Sequence, residues 1–146
     1  MNKYIKLLII SLMISIGFSC SKENDIDKFV ERTWDECSAK ENCIIDFDTF
    51  IDFDTMFYFG HLSLEKMSTI LKTDMIDYED LGEYIVFVKE DEIVYSKGWF
   101  KSPERKGKGM YIVRDTNVLK YCSSDAKFRI TKYGELFSLT QINKYK

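Results

Sequence analysis

Apolar and polar positions along this chain fall into three regimes. Residues 7–18 are almost continuously apolar, interrupted only by Ser11, Ser15 and Gly17. From residue 26 the pattern turns helical: Ile26, Phe29, Val30 and Trp34 recur at spacings that share one helix face. Asn24 or Asp25 can cap that helix, acids at Asp25 and Asp27 suit its positive end, and the pattern predicts a helix over 26–38. A second helical pattern, Leu64, Met67, Ile70 and Leu71, follows Gly60 and a capping Ser63, and predicts a helix over 64–72.

The third regime is strand-like. Residues 84–88 and 92–95 flank Glu90-Asp91 as a hairpin, and further runs at 110–113, 118–122, 127–131 and 136–142 are separated by turn-forming residues. Helices first and strands after make the class α+β. The expected architecture is an antiparallel β-meander, one curved sheet packed against one or two N-terminal helices, in a single domain over 26–146.

One segment is irregular. Ile45-Asp46-Phe47-Asp48-Thr49-Phe50 is repeated almost unchanged as Ile51-Asp52-Phe53-Asp54-Thr55-Met56. Period-two alternation argues strand, but residues 45–59 are long for one strand. Two strand pieces with a bend near 50–54 are expected. A six-residue duplication keeps side-chain parity, so both copies are expected to present aspartate on one face and phenylalanine on the other.

The apolar run at 7–18 is too short for a comfortable transmembrane helix. With Lys3 and Lys6 before it, it reads as a signal-peptide core. It ends Gly17-Phe18-Ser19-Cys20, and Ser19-Cys20 resembles the lipobox of bacterial lipoproteins, with Gly17 where leucine is usual. Ser21-Lys22-Glu23-Asn24-Asp25 is similar to the acidic export signals of Bacteroidetes surface lipoproteins. The resemblance covers about the first 27 residues. It implies a signal peptide over 1–19, cleavage before Cys20, lipidation of Cys20, a tether over 20–25 and an outer-membrane location at the cell envelope. Acyl chains contribute about 0.8 kcal/mol per buried methylene, so such an anchor is firm.

Removing residues 1–19 takes Lys3 and Lys6 from the 21 basic groups and leaves 19 against 24 acidic ones, a charge of about −5. Nucleic acid, which wants a basic face, is not an expected partner. Three cysteines remain after Cys20: Cys37, Cys43 and Cys122. An oxidising compartment permits a disulfide among them, and spacing leaves all three pairings open.

The candidate chemistry is sparse. Asp46, Asp48, Asp52 and Asp54 carry enough carboxylates for a Ca²⁺ ion, but lack the glycine and ligand positions of an EF-hand; an outward acidic face or a partner-binding patch is the expectation. His61 is the single histidine, with no nucleophile motif around it. Cys37, Cys43, Cys122 and His61 have the composition of a zinc site without its spacing. No metal and no cofactor are expected. Residues 99–109 combine Trp99 and Phe100 with Arg105 and Lys106 in a loop, a plausible recognition element. Small size, acidic charge, a lipid tether and the absence of a catalytic motif point to a non-enzymatic binding protein, of the immunity type that masks an antibacterial toxin. The alternative is a small envelope hydrolase or metal-dependent enzyme using His61 with nearby aspartates.

Overall fold

The computed structural model describes residues 25–75 and 82–142. The expected signal peptide, Cys20 and nearly all of the tether lie outside the described residues.

Helix α1 spans Ile26–Glu36. Asp25 caps it, its carboxylate accepting the Asp27 N–H at 2.9 Å, which satisfies one of the amides a helix start leaves free. Ile26, Phe29 and Val30 are buried, as the spacing requires, and the edge of the Trp34 ring meets Phe137. The helix ends two residues earlier than the sequence suggests, because Cys37 turns extended. Helix α2, Leu64–Leu71, starts at the Ser63 cap and ends at Lys72, which adopts the left-handed conformation. A four-residue helix α3, Pro103–Lys106, has proline in its first turn and ends at Gly107 with φ +66°.

Eight strands follow the α+β expectation, but they divide between two sheets instead of forming one. The first contains β1 (Ile44–Asp46), β7 (Lys127–Tyr133), β8 (Glu135–Gln141) and β5 (Lys108–Ile112), in that order. The second runs β4 (Glu92–Trp99), β3 (Glu83–Lys89), β2 (Thr55–Gly60), β6 (Val118–Cys122). All pairings are antiparallel except β5 with β8, which is parallel. The meander survives locally, in the β3–β4 and β7–β8 hairpins. Glu90 and Asp91 at the first tip take φ of 49° and 64°, the doubly left-handed turn whose twist matches its strands.

Burial explains the division. Side chains of α1, of the first sheet (Ile45, Phe128, Leu139) and of the second (Met56, Tyr58, Phe87) share one core. The opposite face of the second sheet, through Phe57, Phe59, Tyr84 and Val86, packs on Met67 and Leu71 of α2. Strands β2 and β3 are therefore covered on both faces, and read as unbroken apolar runs where a half-exposed strand would alternate. One polar network crosses this interior. The Tyr58 hydroxyl donates to Glu83 at 2.6 Å and Arg114 donates to the same carboxylate at 3.0 Å. Gly60 makes room for it, since a Cβ there would lie 2.4 Å from the Arg114 guanidinium.

The tandem hexamer does not form two equivalent strand pieces. Ile45 and Asp46 end β1, and the chain then tightens into a 3₁₀ turn over Phe47–Thr49. In the second copy, Ile51 to Asp54 is irregular and the strand begins only at Thr55. The turn starts earlier than expected because Asp46 caps it, accepting the Asp48 N–H at 3.1 Å. The alternation persists in burial all the same: Ile45, Phe47 and Phe53 are buried, whereas Asp48, Asp52 and Asp54 are exposed.

Candidate functional site

Polar and aromatic groups from several elements converge around Asp27, in the first turn of α1. Its carboxylate accepts the Trp99 indole N–H at 3.3 Å and the Met110 amide at 3.1 Å, and pairs with Lys97 at 2.6 Å. Lys97 also meets Asp25 at 2.9 Å. Burial alone would lower the Lys97 pKa, but its hydrogen bonds to Asp27 and Asp25 and their charges raise it above the ordinary value. Burial would likewise raise Asp25, yet the Lys97 bond and charge and the backbone amides of Asp27 and Lys28 hold it below the usual carboxylate range.

This hub fixes the start of α1 against the end of β4 and the start of β5. The intervening chain can fold so closely because of two glycines. Gly107 closes α3, and Gly109 takes φ +92°, a left-handed backbone that favours glycine, where it runs beside the Asp27 carboxylate. Met110 N–H, on the side of β5 away from β8, is thereby satisfied by a side chain instead of another strand.

Beside the hub lies a cleft of about 520 Å³. Asp27, Trp99 and Phe137 line its inner part; Lys106, Lys108, Lys132, Glu31 and Glu135 bring charge to it. Lys132 sits 5.1 Å from the Phe137 ring centroid, a cation–π contact. Among the described residues, the two most exposed large apolar side chains neighbour this lining in sequence: Phe100, 71% exposed, follows Trp99, and Tyr133, 63% exposed, lies between Lys132 and Gly134. A hollow of similar size along α2 is lined by that helix and the turn after it alone, without groups converging from separate elements.

The residues singled out from sequence have different fates. Trp99 is buried, whereas Phe100 points outward and Arg105 and Lys106 are exposed; Lys106 lines the cleft. The aspartates of the repeat are largely engaged with their own fold. Asp46 pairs with Lys127 at 3.0 Å, Asp52 pairs with Lys89, and Asp54 accepts the Glu90 amide at 2.8 Å, steadying the β3–β4 tip. Asp48 is exposed.

His61 follows β2, exposed and left-handed at φ 47°, its N–H donating to Gly82 at 2.7 Å. Asp54 precedes the same strand. Six extended residues at about 3.3 Å each put the histidine and the repeat roughly 20 Å apart. The structure does not bring them together as an acid–base pair. Cys122 pairs in register with Thr55, at the end of β2 remote from His61, so a Cys₃His zinc site is not assembled either. Among the described residues, no cluster of three metal-ligating side chains occurs, and no helix is long and apolar enough to cross a membrane.

Sequence reasoning missed Asp27 as a hub, reading it only as a helix-start acid, and missed Lys132, Tyr133 and Phe137; Lys108 lay within the 99–109 segment it singled out. Lys132, Tyr133 and Phe137 belong to the β7–β8 hairpin, which reaches the 99–109 segment only through the parallel β5–β8 pairing. The one available signal was Gly107 and Gly109 beside a Trp-Phe pair. No known protein family, characterised protein or solved structure matches this chain.

Proposed function

We propose that this protein is an extracytoplasmic, lipid-anchored binding protein that recognises a protein partner through the cleft beside Asp27 and the aromatics at its margins. The partner fits the immunity-type role, an antibacterial toxin masked at the cell envelope. One observation carries the reading: a cleft lined by Trp99 and Phe137 and by lysines and glutamates together, and flanked by exposed Phe100 and Tyr133. Aromatic anchors beside a partly closed pocket are the features from which interface hot spots are built, with arginine close at hand in Arg105. The basic groups Arg105, Lys106 and Lys108 stand out on an acidic chain, and favour an acidic segment of the partner by charge complementarity.

The lipid anchor rests on Ser19-Cys20 and the apolar run before it. Intact-mass analysis of the envelope protein is expected to show a chain starting at an acylated Cys20; an unacylated chain starting at Met1 would overturn the location. The recognition site is tested by affinity capture from envelope extracts, the partner identified by mass spectrometry and then purified. Phe100→Ala, Tyr133→Ala and Arg105→Glu are each expected to weaken capture at least tenfold, with Asp48→Ala unchanged. Equal recovery by all four variants would remove this site.

A further inference from the structure

We propose that Cys37 and Cys43 form a disulfide that ties the C-terminal end of α1 to the entry of β1, leaving Cys122 as the free thiol. Spacing alone left three pairings open; the fold separates them. Cys37 is the C-cap of α1, and Cys43 immediately precedes β1. The Cys43 thiol donates to the carbonyl oxygen of Thr33 at 3.7 Å, one helical turn before Cys37, the Cys37 thiol donates to the Ala39 carbonyl at 3.7 Å, and the two thiols lie near enough for Cys37 to raise the Cys43 pKa. Both side chains pack on the same core, Cys43 fully buried and Cys37 half-buried. Cys122, in contrast, is exposed at the end of β6 in the other sheet.

The burial difference sets the order of events. Burial, reinforced by the neighbouring Cys37 thiol, pushes the Cys43 pKa up to about 12, so the more accessible Cys37 is the first nucleophile. Its thiolate attacks a sulfur of an incoming disulfide, carried by a thiol–disulfide oxidoreductase or by oxidised glutathione. A mixed disulfide forms and one thiolate leaves. Cys43 then gives up its proton and attacks the Cys37 sulfur, expelling the second thiolate. Two protein thiols are oxidised and one external disulfide is reduced to two thiols. The 3₁₀ turn at Lys40–Asn42 lies between the two cysteines and ends at Cys43.

In cells the proposal rests on the extracytoplasmic reading; in a glutathione buffer it does not. The full-length protein is equilibrated with reduced and oxidised glutathione, alkylated while denatured, and digested with trypsin. The expected product links peptide 33–40 to peptide 41–66, with the thiol of peptide 121–127 alkylated. Reduction should lower the melting temperature of wild type and Cys122→Ser alike, by about 5–10 °C for so short a loop, and leave Cys37→Ser unmoved. Three alkylated thiols, a bridge to Cys122, or glutathione retained on Cys37 would overturn the pairing. Three free thiols in envelope protein that begins at acylated Cys20 would overturn it too. If the chain instead begins at Met1, the location fails, and the glutathione result alone decides the pairing.

Discussion

Two regions of this chain advertise themselves in sequence, the aspartate-rich hexamer repeat and the aromatic-basic segment at 99–109, and the fold treats them in opposite ways. The phenylalanines of the repeat are turned inward, and its aspartates are tied to the same chain. Phe47 and Phe53 are buried against Phe87, and three of the four aspartates bond to a lysine or to a backbone amide of the same chain. Near-identical hexamers adopt different conformations, because one follows β1 into a turn and the other leads into β2. The 99–109 segment places Trp99 inside, where Asp27 holds it, and leaves Phe100, Arg105 and Lys106 outside. Regularity in sequence thus marks local building material, whereas the available surface arises where distant elements meet.

The contrast can be broken most severely at the first copy of the repeat. Phe47 touches Phe29, Phe87 and Phe128 and is wholly buried. Phe47→Ala is expected to cost about 3–5 kcal/mol in urea unfolding, the range for deleting a core aromatic ring. Phe53→Ala, where Phe87 is the ring contact found among the described residues, should cost less. Equal losses would mean that the copies are structurally equivalent after all.

Next in size is the hub. Asp27→Ala strips the acceptor from the Trp99 indole and the Met110 amide and leaves Lys97 with Asp25 alone. A loss of about 2–3 kcal/mol is expected, because unsatisfied donors remain partly buried. Exchange of the Met110 amide should accelerate in hydrogen-exchange measurements, while the amides of β2 keep their protection.

Among the repeat aspartates, the effects should be smaller and unequal. Asp54→Ala removes the acceptor for the Glu90 amide in a turn that needs two left-handed residues, and is expected to cost about 1 kcal/mol. Asp48→Ala and Asp52→Ala, at exposed positions, should leave the thermal midpoint unchanged.

The smallest effect is the pH dependence of the Asp25–Lys97 contact. A carboxyl held below its ordinary 3.8 contributes stability above that value, and the contribution is lost as pH falls through the depressed folded value. An ammonium held above 10.5 contributes below that value, and its part is lost as pH rises through the folded one. Lys97→Gln should therefore flatten the stability profile at both extremes and leave its shape near neutrality intact. A wild-type and Lys97→Gln pair with parallel profiles throughout would contradict the contact.

Much of the fold was legible because its signals are local. Asp25 and Ser63 cap helices where their side chains predict, Ile26, Phe29 and Val30 turn inward, and Glu90-Asp91 makes the hairpin tip. The partition into two sheets was not legible. Pairing of β6 with β2 and of β5 with β8 joins strands separated by long stretches of chain, and no local pattern encodes such partners. The cleft inherits that difficulty. Trp99 and Lys106 were visible as recognition candidates, but Phe137 and Lys132 reach the same place only through the parallel pairing. In the repeat, alternation pointed to strand, and the Asp46 cap overrode it at Phe47.

Site-specific photocrosslinking in intact cells tests the recognition site most directly, with a photoreactive side chain placed in turn at Phe100, Tyr133 and Asp48. Discrete adducts of one size from Phe100 and Tyr133, and none from Asp48, are the predicted result. An adduct from Asp48 with none from the two aromatic positions would contradict recognition at the cleft and return the partner to the acidic repeat.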